Sequence, residues 1–420
     1  MATGLPVAFC FMTITMIGAI ILWGYDAGST MFVHNAFNSV SKFLLLPICM
    51  FMLMGQIMFL TGMGLRMLDV LDKWLGRLPG RLALLSVAFA TLFSTMSGSQ
   101  MASASMMGSL LIPEMEKRGY GKPMTIGPIL GAGGLAMVIP PSNLAVLLAA
   151  IAGISVGKLL IGGFIPGLVM AALYATYIIL RCWLQPSVAP AYDLKPTPLS
   201  EKMILTLMYV VPMISIVFLV LGLIFLGWAT PTEAAVLGAV GSMVLSVCHK
   251  KLSWQILNKS IMNTVKIAAG LYMIITGATT FSQILAFSGV TRELASYISG
   301  WPLSPIMILI SMQFLLLILG TFMTTVGIIM VTMPIFMPIV AALGINPLWF
   351  GVLVLINMEM GAVTPPVGMM LFVMKGVSPK GTTMADVYKA AIPFFACDLV
   401  AMTVIILFPV LALWLPGLMV

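Results

Sequence analysis

Two pairs of adjacent prolines, Pro140-Pro141 and Pro365-Pro366, stand inside long apolar stretches of this sequence. Proline lacks a backbone N–H and clashes with the preceding turn, so two in succession should break a helix. Inside a bilayer no water satisfies the carbonyl groups that such a break frees, and a ligand or another protein group has to do so. Freed carbonyls suit a bare cation such as sodium, and the N-terminus of a half-helix attracts an anion. The breaks therefore predict ion and anion binding, with simple kinks between packed helices as the alternative.

Small polar residues interrupt two further apolar stretches, residues 82–116 and 303–343. The interruptions are TMSGSQMASAS at 95–105 and LGTFMTTVG at 319–327. Each stretch is too long for one membrane helix of about 20 residues, whereas each of its halves is short for a complete crossing. We therefore expect two re-entrant helical hairpins, each of which turns at its polar tip.

The composition indicates that these features lie in a membrane. Of the 420 residues, 61% are hydrophobic and 8% are charged, whereas soluble domains carry about 25% charged residues. The net charge of +8 is spread over short loops, which indicates membrane orientation rather than nucleic-acid binding. Five well-separated cysteines and two histidines predict no disulfide framework, no metalloenzyme and no organic cofactor. An intramembrane enzyme would need a convergent nucleophile and base, and the sequence offers no such set.

The basic residues predict how the chain crosses the membrane. They flank the first hairpin on both sides, so this hairpin should enter from the cytoplasm. Threading the other spans from it places the N-terminus in the cytoplasm, the C-terminus in the periplasm and 17 of the 20 Lys and Arg residues inside. The second hairpin then enters from the external side. Spans are predicted near 3–24, 43–62, 123–151, 159–181, 203–228, 233–249, 267–290, 347–374 and 391–416, with amphipathic segments at 65–78 and 250–266 along the inner interface.

The two halves of the chain show the same order of features. Pro113 and Pro334 are 221 residues apart, and the two double prolines are 225 apart. Opposite orientation of two such units is the signature of an inverted repeat, in which ligand sites lie near the midplane where broken helices meet. We predict an all-α polytopic membrane protein with two inverted repeats, each with a re-entrant hairpin and a Pro-Pro-broken transmembrane helix. Its parts are N-terminal scaffold helices at 1–81, a first transport-domain half at 82–157, scaffold helices at 158–302 with a cytoplasmic linker at 182–202, a second transport-domain half at 303–375, and a C-terminal helix at 376–420.

Five longer motifs occur in order along almost the whole chain. They are SGSQMASASMMGSLLIPEMEKRGY at 97–120, GAGGLAMVIPPS at 131–142, ATPTEAAV at 229–236, ALGINPLWFGVLVLINMEMGAVTPPVGMMLFV at 342–373 and LALWLP at 411–416. Together they resemble the large membrane (M) subunit of the TRAP (tripartite ATP-independent periplasmic) transporters. The resemblance implies a sodium-driven symporter of the ion-transporter superfamily with an elevator-type movement. The family often has an aspartate just beyond each hairpin tip, where this sequence has Ser103 and Thr324.

The tips and the breaks provide residues for three candidate sites. Carbonyl and hydroxyl oxygens would hold sodium, and half-helix dipoles with neutral donors would hold a substrate carboxylate, because no basic residue is near either tip. Close packing through small residues, or hydroxyls bonded to their own helices, is the alternative. Sodium site 1 comprises Ser97, Gly98, Ser99, Ser103, Gly133, Gly134 and Pro140; sodium site 2 comprises Gly320, Thr321, Thr324, Asn357, Thr364 and Pro365; the substrate site comprises Ser99, Gln100, Ser142, Asn143, Thr325 and Gly368.

Glu359 is the only charged residue between Glu293 and Lys375. A carboxylate inside a membrane segment is by default a partner of a cation or a proton, so Glu359 is a candidate coupling carboxylate. A structural pair with a neighbouring helix is the alternative. Asp398 poses the same question, whereas Glu233 follows Thr230 at a predicted helix start and should cap that helix.

These features together predict a multi-pass transporter of the bacterial inner membrane that uses sodium as its coupling ion. According to the resemblance, its substrate would be an organic acid, such as a dicarboxylate or a sialic-acid-like compound, delivered by a periplasmic substrate-binding protein (P). The resemblance implies a small membrane (Q) subunit as a separate chain, with the lipid bilayer as the environment and no nucleic acid as a partner. A stand-alone sodium/carboxylate symporter or antiporter of the same superfamily, without a binding protein, is the alternative, and a channel is a third possibility.

Overall fold

The computed structural model describes residues 7–76, 78, 80–94, 100–190 and 198–419, and within these ranges the long elements are all α-helices. Short π-helical turns at Ala90–Ser94 and Thr206–Val210 adjoin two of them. The helices are α1 (Val7–Trp23), α2 (Tyr25–Ser41), α3 (Leu46–Leu60), α4 (Met63–Trp74), α5 (Arg81–Phe89), α6 (Gln100–Lys117), α7 (Lys122–Val138), α8 (Asn143–Ala152), α9 (Val156–Leu184), α10 (Leu199–Leu205), α11 (Val211–Phe225), α12 (Pro231–Cys248), α13 (Trp254–Phe287), α14 (Val290–Ser299), α15 (Pro305–Gly320), α16 (Thr325–Ala342), α17 (Pro347–Ala362), α18 (Met369–Val377), α19 (Met384–Leu407) and α20 (Val410–Gly417).

The lengths and compositions of the helices confirm a polytopic membrane protein. Among the described residues, seven helices are long and apolar enough to cross a membrane, or eight if the bent pair α7 and α8 forms one span. The axes of that pair differ by 45° across the break. Helices α17 and α18 are likewise separated by six residues around Pro365-Pro366. Both double prolines therefore end a helix, as the missing backbone donors require.

The two predicted repeats pack against each other in a reciprocal way. Helix α6, beyond the first tip, lies against α18, and helix α16, beyond the second tip, lies against α8. A Cβ atom placed on Gly108 of α6 would come within 2.6 Å of the Val377 side chain of α18. Each half-helix after a break is therefore covered by a helix of the opposite repeat. This exchange brings the four segments into one packed centre, which places the candidate sites between the repeats.

The structure differs from the predicted spans in three places. Residues 25–41, which were not predicted as an element, form helix α2, because α13 offers hydrogen-bond partners to its polar side chains. Asn35 Nδ2 donates to Gln283 Oε1 at 2.6 Å, and Ser39 Oγ donates to Thr279 Oγ1 at 3.0 Å. The segments 250–266 and 267–290, predicted as separate, form the single 34-residue helix α13. The predicted span 391–416 is divided between α19 and α20 at Phe408-Pro409, where proline lacks the donor that would continue α19.

Candidate functional site

The first break is closed by the hydroxyl group of Ser142. Because Pro141 has no N–H, the Met137 carbonyl loses the donor that would continue α7. Ser142 Oγ donates to Met137 O at 2.7 Å and accepts a hydrogen bond from Ala145 N at 3.3 Å. Ser142 is therefore both a partner for the freed carbonyl and the N-cap of α8. Asn143 follows it as a buried residue. The structure thus gives Ser142 a structural role that the substrate-site prediction did not include.

The second break has a carbonyl group without the corresponding partner. Pro366 has no N–H to donate to Ala362 O, and Val367 occupies the position that Ser142 has in the first break. No backbone N–H outside the helices donates to Ala362 O in the described part of the chain. A Cβ atom on Gly368 would lie 2.6 Å from Ala362 O and 2.7 Å from Thr364 O, and Thr364 O also accepts a hydrogen bond from Gly368 N at 3.1 Å. Two carbonyl oxygens therefore converge beside Gly368, which is a suitable arrangement for a bare cation.

The second hairpin tip lies directly against the second break. A Cβ on Gly320 would come within 2.7 Å of the Gly361 Cα atom, and a Cβ on Gly361 would come within 2.8 Å of the Gly320 Cα atom. Such an approach between backbones requires two glycines. The end of α15 and the end of α17 are therefore in direct backbone contact, which brings Gly320 of the predicted sodium site 2 against the helix that leads to the second break.

The threonines of sodium site 2 are bonded to backbone groups of their own segments. Thr321 Oγ1 donates to Ile318 O at 2.7 Å, and Thr364 Oγ1 donates to Met360 O at 2.5 Å. Thr324 caps α16 by accepting from Gly327 N at 3.1 Å, and Thr325 is half-buried at the start of that helix. These hydrogen bonds to neighbouring backbone groups are the structural alternative to sodium binding by these threonines. A hydroxyl that donates to a carbonyl still has lone pairs for a cation, so both roles are compatible.

Asn357 is held by a glutamine that the sequence analysis did not single out. Its Nδ2 donates to Gln313 O at 2.7 Å and to Gln313 Oε1 at 3.0 Å. Both side chains are buried, and Asn357 Oδ1 and Gln313 Nε2 have no hydrogen-bond partner among the described residues. They line a cavity of about 320 Å³ between α15, α17 and α19. An isolated glutamine in the apolar helix PIMILISMQFLLLILG was the signal that could have identified Gln313.

Glu359 belongs to the second repeat, but its carboxyl group lies among residues of the first. Gln100 Nε2, at the start of α6, donates to Glu359 Oε2 at 2.8 Å. A Cβ atom on Gly134 would overlap the Glu359 carboxyl group, and one on Gly133 would lie 3.7 Å from Gln100 O. The Glu359 side chain is completely buried. The structure therefore brings together Gln100, Gly133, Gly134 and Glu359, which we had assigned to three different roles.

A second buried carboxyl group lies on α19. Asp398 is completely buried and accepts a short hydrogen bond from the phenol of Tyr174, itself completely buried on α9. Sequence reasoning raised Asp398 but missed Tyr174, because a tyrosine in a long apolar helix carries no distinctive spacing. By contrast, the prediction for Glu233 is confirmed: Glu233 Oε2 accepts from Thr230 N at 2.8 Å in a capping box.

The described structure does not bring every predicted site residue into a common site. Ser97, Gly98 and Ser99 lie outside the described residues, so the first tip stays a prediction. Ser103 is buried on α6, and Pro140 forms a cis peptide bond with Pro141, as Pro365 does with Pro366. Over the ranges that the structure covers, no group of three or more His, Cys, Asp or Glu side chains is arranged to hold a metal ion. A cation at either break would therefore rely on backbone carbonyl, hydroxyl and amide oxygens.

Solved structures show which fold this is. The YdaH transporter of Alcanivorax borkumensis is similar with a TM-score of 0.69 at 12% identity, over 97% of this chain and 96% of that one. MtrF of Neisseria gonorrhoeae, from a class of antimetabolite efflux pumps, is similar with a TM-score of 0.67 at 13% identity, over 97% and 94%. At these identities the similarity shows the fold alone, which is that of a polytopic helical membrane protein.

Curated relatives have higher sequence identity to this chain than the solved structures have. The C4-dicarboxylate TRAP transporter large permease protein DctM of Pseudomonas aeruginosa is 32% identical over 95% of this chain and 92% of its own length. The sialic acid TRAP transporter large permease protein SiaM of Vibrio cholerae is 28% identical over 99% and 95%. The isethionate TRAP transporter permease protein DctMQ of Oleidesulfovibrio alaskensis is 31% identical over 91% of this chain, which spans 59% of that longer protein.

The family match covers residues 1–411, nearly the whole chain. These relatives are named as permeases, which confirms the prediction of a transporter rather than an enzyme. Together with the apolar helices, the match makes the chain a multi-pass protein of the inner membrane. The chain belongs to the DctM component family of the tripartite ATP-independent periplasmic transporters.

Proposed function

We propose that this chain imports an organic acid by sodium-coupled symport, after a periplasmic substrate-binding protein has delivered the acid. The observation that carries the proposal is the second break, where Ala362 O and Thr364 O converge beside Gly368 and Ala362 O has lost its helical donor. Two of the three relatives support the substrate class, since they are named as a C4-dicarboxylate and a sialic acid permease. Both of these ligands carry carboxylates, whereas the isethionate in the name of the third carries a sulfonate. We propose a carboxylate as the group that this chain recognises.

The substrate carboxylate would be held without a basic side chain. Helices α8 and α18 begin at the two breaks, and their first N–H groups carry partial positive charge. Asn143 and Thr325 lie at the starts of α8 and α16, where side-chain donors could add to that field. Gln100 already donates to Glu359, so we expect it to act on substrate through that contact. An anion that lies between two half-helices would neutralise both dipoles at once.

Sodium, when bound, would supply positive charge where carbonyl oxygens converge. Ala362 O, Thr364 O and the buried Asn357 Oδ1 fit that requirement in the second repeat, because each is an oxygen that can face a cation. The Gly320–Gly361 approach would then close the hairpin over the site. Closure of both hairpins around ion and substrate would permit the segments 82–157 and 303–375 to move as an elevator, with the remaining helices as scaffold. We propose a cytoplasmic N-terminus and a periplasmic C-terminus for this arrangement.

Two partner proteins belong to the proposal. One is the periplasmic binding protein, and the other is a small membrane subunit. The Oleidesulfovibrio alaskensis relative is named DctMQ and is longer than this chain, whereas we propose a separate small subunit here. The alternative is a stand-alone sodium/carboxylate symporter or antiporter, which would need neither partner. The similarity to YdaH and MtrF does not favour this alternative, because it concerns the fold only.

Uptake into proteoliposomes tests the proposal. We expect accumulation of a C4-dicarboxylate or a sialic acid that requires an inward sodium gradient, the binding protein and the small subunit. Choline in place of sodium should abolish it. Uptake that needs sodium but no binding protein would favour the alternative, and uptake that needs neither would refute the proposal.

A matched pair of variants tests the second sodium site. Thr364→Val and Thr264→Val each remove a hydroxyl that donates to the carbonyl four residues earlier. Only Thr364 adjoins the break, so Thr364→Val should raise the sodium concentration needed for half-maximal uptake. Thr264→Val, on α13, should leave it unchanged. Equal responses of the two variants would contradict the assignment of Thr364 to the site.

A further inference from the structure

Helices α7 and α19 lie side by side in a constant register. Lys122 Nζ contacts Asp386 Oδ2 at 2.8 Å. Further along, a Cβ on Gly127 would lie 2.7 Å from Ala390 O, and one on Gly131 would lie 2.5 Å from the Phe394 ring. The two helices therefore run parallel, and successive turns of one contact successive turns of the other. One more turn along each helix brings Gly134 of α7 to the level of Asp398 of α19.

This register places two carboxyl groups from different helices in one buried region. The carboxyl group of Glu359 lies on Gly134, where any side chain would displace it. Asp398 reaches the same level from α19, which packs against both α7 and α17. Helix α9, which carries Tyr174, also packs against these three helices. Four helices therefore enclose a region with two acidic groups.

In each of the Glu359 and Asp398 carboxyl groups, one oxygen accepts a hydrogen bond and the other has no hydrogen-bond partner among the described residues. Gln100 donates to Glu359 Oε2, and Tyr174 donates to Asp398 Oδ1. Glu359 Oε1 and Asp398 Oδ2 have no hydrogen-bond partner in the described part of the chain, and both side chains are 0% exposed. Unpaired carboxylates in a membrane interior are costly, so such groups pair with a cation or another partner.

The basic residues of the surrounding helices do not provide that partner. Lys122 is paired with Asp386, and Lys375 donates to Thr382 O. Lys158, Arg181 and Lys389 have exposed side chains. No ion pair to Glu359 or Asp398 occurs among the described residues. A cation that pairs with these carboxylates therefore has to come from solution.

We propose that Glu359 Oε1 and Asp398 Oδ2 bind a sodium ion between α7, α17 and α19, beside Gly134, a residue of the predicted sodium site 1. A divalent ion such as Ca²⁺ would take six to eight oxygen ligands, and no cluster of three acidic, histidine or cysteine side chains is available in the described ranges. The site's part in transport rests on the proposed function. Because Gln100 of α6 holds the same carboxyl group, an ion bound here would favour the contact between the first hairpin and α17.

Infrared difference spectroscopy on the full-length wild-type protein in lipid nanodiscs tests the site directly. Exchange of choline for sodium at constant ionic strength should shift the carboxylate stretching bands. This shift should be absent in Glu359→Gln and in Asp398→Asn, each of which keeps the size of the side chain. It should persist in Glu116→Gln and Asp26→Asn, which remove the same charges from exposed positions. A sodium-insensitive band of protonated buried carboxyl groups in the wild type would show that a proton takes this place and would overturn the proposal.

Thermal unfolding of the same samples provides the second measurement. The sodium concentration that gives half of the stabilisation should rise ~10-fold in Glu359→Gln and Asp398→Asn, which corresponds to about 1.4 kcal/mol of binding energy. Potassium should not replace sodium. An unchanged sodium response in both variants would overturn the proposal. If uptake proves independent of sodium while these variants still lose the sodium response, the site stands and the symport mechanism fails.

Discussion

Gly320 and Gly361 meet backbone to backbone, so that a Cβ atom on either would come within 2.8 Å of the other's Cα atom. This contact joins the second hairpin tip to the end of α17. Gly320→Ala and Gly361→Ala should therefore separate the tip from the break and greatly reduce uptake. The control is Gly270→Ala in α13, where a Cβ meets nothing within 4 Å, and where alanine should stabilise the helix by up to about 1 kcal/mol. Normal uptake by both site variants would show that the tip does not close here.

The hydrogen bond between Gln100 and Glu359 should stabilise the protein even without substrate. Gln100→Leu would leave Glu359 Oε2 buried without a donor, at a cost of about 1.5–3 kcal/mol. We expect a lower unfolding temperature in substrate-free nanodiscs. Gln255→Leu, at an exposed position, is the control. If Gln100 served only the substrate, its loss would lower the unfolding temperature only when substrate is present.

The difference between Ser142 and Val367 predicts an effect on sodium affinity. Val367→Ser would place a hydroxyl where Ser142 closes the first break, so it should satisfy Ala362 O and compete with a cation. One such hydrogen bond is worth about 1 kcal/mol, so the sodium requirement for uptake should rise ~5-fold. Val400→Ser, at a similarly exposed position of α19, should have no effect. An unchanged requirement in Val367→Ser would argue against a cation at Ala362 O.

The ion pair between Arg81 and Asp72 should stabilise the base of the first hairpin. Arg81 is 2% exposed, and its Nη2 lies 2.7 Å from Asp72 Oδ2. Arg81→Met should lower stability by about 2 kcal/mol, because it leaves a partly buried carboxylate without its cation. Lys73→Met removes an exposed pair with Glu201 and should cost less than about 1 kcal/mol. Equal costs, measured by thermal unfolding, would contradict this difference in burial.

The same aspartate predicts a pH dependence. Burial raises the pKa of the Asp72 carboxyl group above its usual range, and it outweighs the lowering by Arg81. A raised folded-state pKa contributes stability at pH values below the unfolded pKa of about 4, and this contribution is lost as the pH rises through the folded value. The unfolding temperature of the wild type should therefore decrease relative to that of Asp72→Asn as the pH rises above about 4. Parallel pH profiles would refute this expectation.

Much of the architecture was predictable because the bilayer restricts the possible structures. The double prolines and the polar interruptions marked the helix ends around 138, 143, 320 and 325, and the structure confirms helices that end or begin at each of them. Helix α2 was not predicted, because hydrogen-bond partners of its polar side chains, such as Gln283 and Thr279, lie on α13, more than 200 positions away in the chain. The fused helix α13 and the divided final span were missed since local hydropathy does not report how helices continue or pack.

The sequence by itself determined the membrane environment, the broken helices, the family and which small polar residues lie at the two breaks. These properties follow from composition and from local backbone chemistry. Only the tertiary structure decided that Glu359 of one repeat lies on Gly134 of the other beside Gln100, and that Tyr174 holds Asp398. Residues that are more than 200 positions apart meet through helix packing, and packing depends on how whole faces fit together. No local spacing in the chain records that fit.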